Sequence, residues 1–156
     1  MKRPSDRYDI DWGVVEAEVT SLLQDLIRID TTNPPGNETE AARYIAGRLE
    51  AEGLPAALTE SAPGRGNVTT RLPGGGNDPL LLLGHTDVVA VEPDKWTHPP
   101  FSGALVNGCV WGRGALDMKN MVAAELVVLL LIKRLGIRLD RDLMYAATAD
   151  EEAGKG

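Results

Sequence analysis

Apolar residues recur along this chain with two different periods, and the switching between them outlines a fold. From Trp12 to Ile29, Val15, Val19, Leu22, Leu23, Leu26 and Ile27 return at helical spacing, and Asp11 is placed to cap the first turn. Thr31-Thr32-Asn33-Pro34-Pro35-Gly36 must be a loop, because two prolines and a glycine cannot continue a helix. A second helix is expected from about Glu38 to Glu52, with Asn37 as its cap and Gly53 as its stop. Short strands are expected from Ala56 to Glu60 and from Asn67 to Leu72, the second rich in β-branched residues. Pro73-Gly74-Gly75-Gly76-Asn77 then makes a turn. It reads as a flexible connection and not a phosphate loop, since no helix follows and no lysine is placed as in a P-loop.

The second half is more apolar. Leu80 to Leu83 is an uninterrupted run, as expected of a central strand buried on both faces. Val91 to Ser102 contains three prolines and Trp96, and reads as irregular. Asn107-Gly108 between Leu105-Val106 and Cys109-Val110 signals a hairpin. Lys119 to Leu135 reads as a helix, apolar nearly all round and therefore buried against a sheet, with Gly136 ending it. Leu143 to Ala149 is the next strand. There is no internal repeat, low-complexity tract or interdomain linker. Alternating helices and strands, with the helix after Asp117 joining two inner strands, predict an α/β domain: a largely parallel mixed sheet flanked by helices.

Composition narrows the class. The 156 residues suffice for one domain with its own core. With 43% hydrophobic but only 4% aromatic residues, that core must be mainly aliphatic. A net charge of -7 argues against a nucleic-acid partner, which would favour a basic stripe, and suits a protein that gathers carboxylates around cations. The single cysteine, Cys109, rules out an intrachain disulfide and fits a reducing compartment; in the hairpin it reads as a packed thiol. Met1 to Asp11 is polar, without the apolar centre of a secretory signal. The longest apolar stretch, Leu126 to Ile132, falls far short of the ~20 residues that cross a bilayer. A soluble, cytoplasmic protein with no membrane partner is expected.

Candidate chemistry clusters where α/β proteins keep it, just past the carboxyl ends of strands. Gly84-His85-Thr86-Asp87 follows the leucine run, and Asp150-Glu151-Glu152 follows the last strand. Asp117 lies between them in the loop Gly112-Arg113-Gly114-Ala115-Leu116-Asp117. His85 and Asp87, two apart, point to the same side of an extended chain, so a carboxylate can hold one ring nitrogen and free the other for a metal. Each feature also has a bland reading: a capping aspartate beside a surface histidine, a helix cap at Asp117, a solvated acidic loop at 150–152. Imidazole plus carboxylate is nevertheless the ligand set of a hydrolytic zinc site.

The motifs taken together resemble one family. Gly84-His85-Thr86-Asp87-Val88-Val89, Trp96, Pro100-Phe101-Ser102-Gly103, Trp111-Gly112-Arg113-Gly114, Asp117-Met118-Lys119 and Ala149-Asp150-Glu151-Glu152-Ala153-Gly154 are similar, in order and spacing, to the M20 metallopeptidases. That group includes acetylornithine deacetylase, succinyl-diaminopimelate desuccinylase, aminoacylase, carboxypeptidase G2 and several dipeptidases. The resemblance runs from about Val14 to the last residue. It implies that His85 ligates one zinc, Asp117 bridges two, Glu152 ligates the second, Asp87 orients His85, and Glu151 is the general base. It implies two Zn2+ with a water or hydroxide between them, Co2+ or Mn2+ being compatible because carboxylate-rich sites are weakly selective. The implied substrate is a small N-acyl amino acid or peptide, and a homodimer is compatible with the full-length protein.

Several departures matter. Members of the family carry a further acidic ligand, a final histidine and an inserted dimerisation or lid domain, none of which has a position here. Residues 1–156 are therefore expected to be the N-terminal portion of an incomplete zinc-peptidase catalytic domain, inactive in isolation. His98 reads as a loop histidine near a cleft rimmed by Trp96, and not as a substitute ligand. Asn120-Met121 stands where relatives have a glycine pair. The leading expectation is a zinc-dependent amidohydrolase. The competing one is a truncated, non-catalytic metal-binding fragment, against which Glu151 speaks, since a pure binding module needs no base. A third reading, a plain α/β binding domain with solvated acidic loops, predicts no response to micromolar zinc.

Overall fold

A computed structural model describes residues 8–153; residues 1–7 of the polar N-terminal stretch and Gly154 of the last motif lie outside the described residues. The first helix, α1 (Trp12–Arg28), begins where the sequence places it. Asp11 Oδ1 accepts hydrogen bonds from the amides of Gly13 and Val14 at 2.9 and 3.3 Å. The second, α2 (Glu38–Ala51), follows Asn37, whose side chain makes no capping bond; Gly53, at φ +70°, ends it in the left-handed region. Then come β1 (Ala57–Glu60), β2 (Gly66–Leu72) and β3 (Asn77–His85). A 3-10 turn at Pro93–Lys95 interrupts the irregular stretch. The hairpin of β4 (Ala104–Val106) and β5 (Cys109–Trp111) turns on Asn107 and Gly108, both at positive φ. Helix α3 (Lys119–Arg134) and strand β6 (Arg141–Thr148) complete the described chain.

The main sheet runs β1-β2-β6-β3. It is mixed and flanked by helices, as expected, but it is not largely parallel. Only β3 and β6 run parallel, while β1–β2 and β2–β6 are antiparallel. The reason is the length of the connections. Residues 61–65 suffice for a hairpin return, whereas a parallel pair needs a long crossover, which here runs from β3 through the small hairpin and α3 to β6.

The leucine run is also placed differently. β3 is an edge strand among the described residues, and Leu80, Leu81 and Leu83 are about half exposed. The inner strand is β6, whose Leu143, Tyr145, Ala146 and Ala147 are buried. A continuous apolar run signals affinity for burial, but full burial needs neighbours on both sides and layers on both faces. β3 has β6 beside it and α3 on one face only. Gly84 allows that helix to come close, since a Cβ there would stand 2.9 Å from Val122 Cγ2.

The core lies between one sheet face and the helices. Val68 and Leu72 of β2, Leu143, Tyr145 and Ala147 of β6, and Leu82 of β3 meet Ile45 and Leu49 of α2 and Val122, Leu126 and Leu130 of α3. Helix α1 packs outside α3. The core is aliphatic, as the composition requires, with Tyr145 donating its hydroxyl to Val122 O at 3.2 Å. Cys109 is exposed and not packed, because its two-stranded hairpin has no layer over that position. No described helix is long and apolar enough to cross a membrane.

Candidate metal centre

The parallel pairing of β3 and β6 brings their carboxyl ends level: His85 lies beside Thr148, and the Thr86 amide donates to Thr148 O at 2.8 Å. The two chemistry-bearing segments therefore leave the sheet side by side. Asp117 arrives from the third direction, in the loop that opens α3. Gly114 shapes that loop at φ +84°, where a side chain would be strained and would meet Val88 Cγ1 at 2.8 Å.

Ligand atoms of His85, Asp117 and Glu152 all lie within 4.8 Å of one another. His85 Nδ1 stands 3.1 Å from Asp87 O and 3.3 Å from Asp87 Oδ1. Those bonds assign the proton to Nδ1 and turn Nε2 toward the cluster. Nε2 is 3.2 Å from Asp117 Oδ1 and 3.7 Å from Glu151 Oε2. The structure thus brings His85, Asp87, Asp117, Glu151 and Glu152 together. His98 lies elsewhere, edge-on to Trp111 with ring centroids 5.0 Å apart.

The electrostatics describe a site short of positive charge. The hydrogen bond to the Asp87 carboxylate pushes the His85 imidazole up to about 9, against the opposing effect of burial. Burial works against ionisation of Asp87, yet hydrogen bonds from His85, Asn33 and the amides of Glu152 and Glu151 hold it well below the usual carboxylate range. Burial, followed by the nearby Asp117 charge, raises the Glu152 carboxyl. Clustered carboxylates with a convergent imidazole fit a divalent cation, which would replace the proton on His85 and offset the crowded negative charge.

Three further residues support the site, and periodicity did not reveal them. Asn33 of the loop after α1 donates to both Asp87 and Asp150. Arg65 reaches Asn33, Glu38 and Asp150. Lys119 is fully buried, and its ammonium donates to Leu26 O at 2.9 Å and Ile29 O at 2.8 Å, tying the end of α1 to the start of α3. Burial lowers the Lys119 ammonium to about 8. The available signals were a charged residue between Gly64 and Gly66, and an asparagine before two prolines. Beside Asp117 opens a cleft of about 310 Å³, walled by Trp96, Trp111, Arg113 and Leu116, with the Arg113 guanidinium 5.3 Å from the Trp96 ring centroid.

Residues 81–156 match the model of peptidase family M20/M25/M40. The chain is 36% identical over 143 residues to an N-formyl-4-amino-5-aminomethyl-2-methylpyrimidine deformylase of Bacillus subtilis, covering 88% of this chain and 34% of the relative. It is 36% identical over 137 residues to a succinyl-diaminopimelate desuccinylase of Methylobacterium radiotolerans, covering 84% and 34%. Its backbone is similar to that of an M20 metallo-carboxypeptidase from Sulfolobus solfataricus, with a TM-score of 0.78 and 26% identity, over 88% of this chain and 32% of that one. The chain thus spans about a third of the length of these relatives.

Proposed function

We propose that this chain contributes to a zinc-dependent hydrolase that cleaves the amide bond of N-acyl amino acids or short peptides at a two-metal centre. The observation that carries this reading is the convergence of His85, Asp117 and Glu152 within 4.8 Å at the carboxyl ends of β3 and β6. The activities of the relatives, a deformylase, a desuccinylase and a carboxypeptidase, support a hydrolytic role. Span and architecture favour residues 1–156 as the N-terminal portion of the catalytic domain, with further ligands and the lid supplied by other sequence. A chain with one cysteine, an acidic balance and a small-molecule substrate suits the cytoplasm.

In this reading His85 would hold one cation and Glu152 another, with the Asp117 carboxylate available to both. Bound there, the cations would lower the pKa of water and stabilise charge on the tetrahedral oxyanion. Asp87 keeps the His85 ring turned so that Nε2 faces the site. Glu151 lies outside the ligand set with its side chain largely exposed, free to take a proton from water and pass it to the leaving amine. The cleft beside Asp117 offers the substrate aromatic walls and a guanidinium.

The test is Glu151→Gln in the protein as the source organism makes it, assayed on N-acyl amino acids with zinc content measured in parallel. Expected is a fall in kcat of about 10²–10⁴-fold with zinc retained. Near-normal turnover would remove Glu151 from its role. A second reading, a non-catalytic metal-binding fragment, draws support from a single group of three candidate ligands among the described residues. It requires that the natural product bind zinc and hydrolyse none of these substrates.

A further inference from the structure

We propose that Asn33 and Arg65 are positioning residues of this centre: the pair locks Asp87 and the Asp150–Glu152 turn into the orientation in which His85 and Glu152 can each hold a cation beside Asp117. This rests on the metal-centre reading above and deepens it.

Asp87 is the hub. Its Oδ1 lies 3.3 Å from His85 Nδ1 and accepts from the Glu151 amide at 3.2 Å. Its Oδ2 accepts from the Glu152 amide at 2.9 Å and from Asn33 Nδ2 at 2.8 Å. Rotating this one carboxylate would therefore disturb both the ligand on β3 and the acidic turn after β6. Asn33 opposes such rotation. Its second amide proton goes to Asp150 Oδ1 at 2.8 Å, so one side chain joins the two segments that carry ligands.

Arg65 decides which way Asn33 faces. A guanidinium donates only, so the Asn33 oxygen must turn to Arg65 Nη2, 2.7 Å away, and the NH2 must turn to the two carboxylates. A flipped amide would set two donors against Arg65 and an oxygen against two carboxylates. Arg65 is itself held by the fully buried Glu38, 2.6 Å from Nη1, and by Asp150, 3.2 Å from Nη2. Glu38 also accepts from the Asp150 amide at 3.3 Å. Asp150 sits at φ +67°, a region that costs a residue with a Cβ, and these bonds hold it there. The start of α2 and the β1–β2 connection, which carry no ligand, thus set the geometry of the centre.

The test is Co2+ titration of the protein as the source organism makes it, following the visible absorption of the bound ion and the melting temperature without metal. Asn33→Ala is expected to raise the dissociation constant about 10- to 100-fold and to alter the absorption band, the scale on which second-sphere partners act. Arg65→Lys keeps the charge but loses the fork and is expected to shift both in the same direction by less. Leu49→Ala, in the core away from the centre, is expected to lower the melting temperature while leaving affinity and band unchanged. If Asn33→Ala does not fold, Asn33→Ser takes its place, with a smaller loss expected. Unchanged Co2+ affinity and band in the folded Asn33 variant would overturn the proposal, as would a loss in Leu49→Ala that follows its melting temperature. Absence of Co2+ binding by the unsubstituted protein would instead overturn the metal-centre reading, and this proposal with it.

Discussion

The two halves of the centre are built differently. The side formed by His85, Asp87 and Asp150 is buried and tied at nearly every polar atom, to Asn33, to Arg65, to Glu38 and to the amides of Glu151 and Glu152. Behind it, the loop after α1 is fastened to the end of β3 by the Asn33 amide on Val88 O at 2.8 Å. The other side is open. The side chains of Asp117 and Glu151 are 77% and 63% exposed, and the polar contacts those carboxylates make run toward His85. The buried side is fixed by folding before any cation arrives. The open side is where a cation and a substrate can still act on geometry.

Asp87→Ala should give the largest effect, because it breaks the buried side at its hub. It removes the carboxylate that Asn33 and two amides donate to and leaves His85 Nδ1 only the backbone oxygen of residue 87. Stability should fall by about 3 kcal/mol or more, as when one partner of a buried charged network is removed, and zinc affinity should fall with it. Urea denaturation and zinc titration of the same preparation check both. Asp117→Asn should separate the two quantities. On the exposed side its cost in stability should stay within about 0.5 kcal/mol, while zinc binding weakens severely. Comparable stability losses in the two variants would erase the distinction between the halves.

A smaller and graded effect should appear with pH. The folded His85 pKa of about 9 lies above the unfolded value near 6.5. The stability this pair gives the metal-free protein is therefore fully present below about 6.5 and is lost as pH rises through about 9. Zinc must displace the same proton, so its affinity should climb up to about pH 9 and then level off. Denaturation midpoints from pH 6 to 10, compared with those of Asp87→Asn, check the first slope. Zinc titrations over the same range check the second.

Much of the architecture was legible because local signals and tertiary structure agree. Asp11 caps α1, Asn107-Gly108 turns the small hairpin, and Gly53 stops α2 as their chemistry requires. The ligand candidates were legible because they follow directly on apolar runs whose ends the sheet aligns. The edge position of β3 was not, since four leucines read as buried whatever lies beside them. Nor was the mostly antiparallel pairing, which depends on connection lengths that a residue-by-residue pattern does not weigh. Asn33 and Arg65 escaped for a different reason. Asn33 meets Asp87 from 54 residues away and Arg65 from 32, and neither spacing has a period. Lys119 escaped likewise, its partners lying 93 and 90 residues earlier in the chain.

The central claim is that His85, Asp117 and Glu152 belong to one two-metal centre, and equilibrium zinc binding tests it most directly. Zinc should bind the unsubstituted protein, as the source organism makes it, and raise its melting temperature, and His85→Ala should sharply weaken both responses while remaining folded. Zinc binding of equal strength in His85→Ala, or none in the unsubstituted protein, would contradict it.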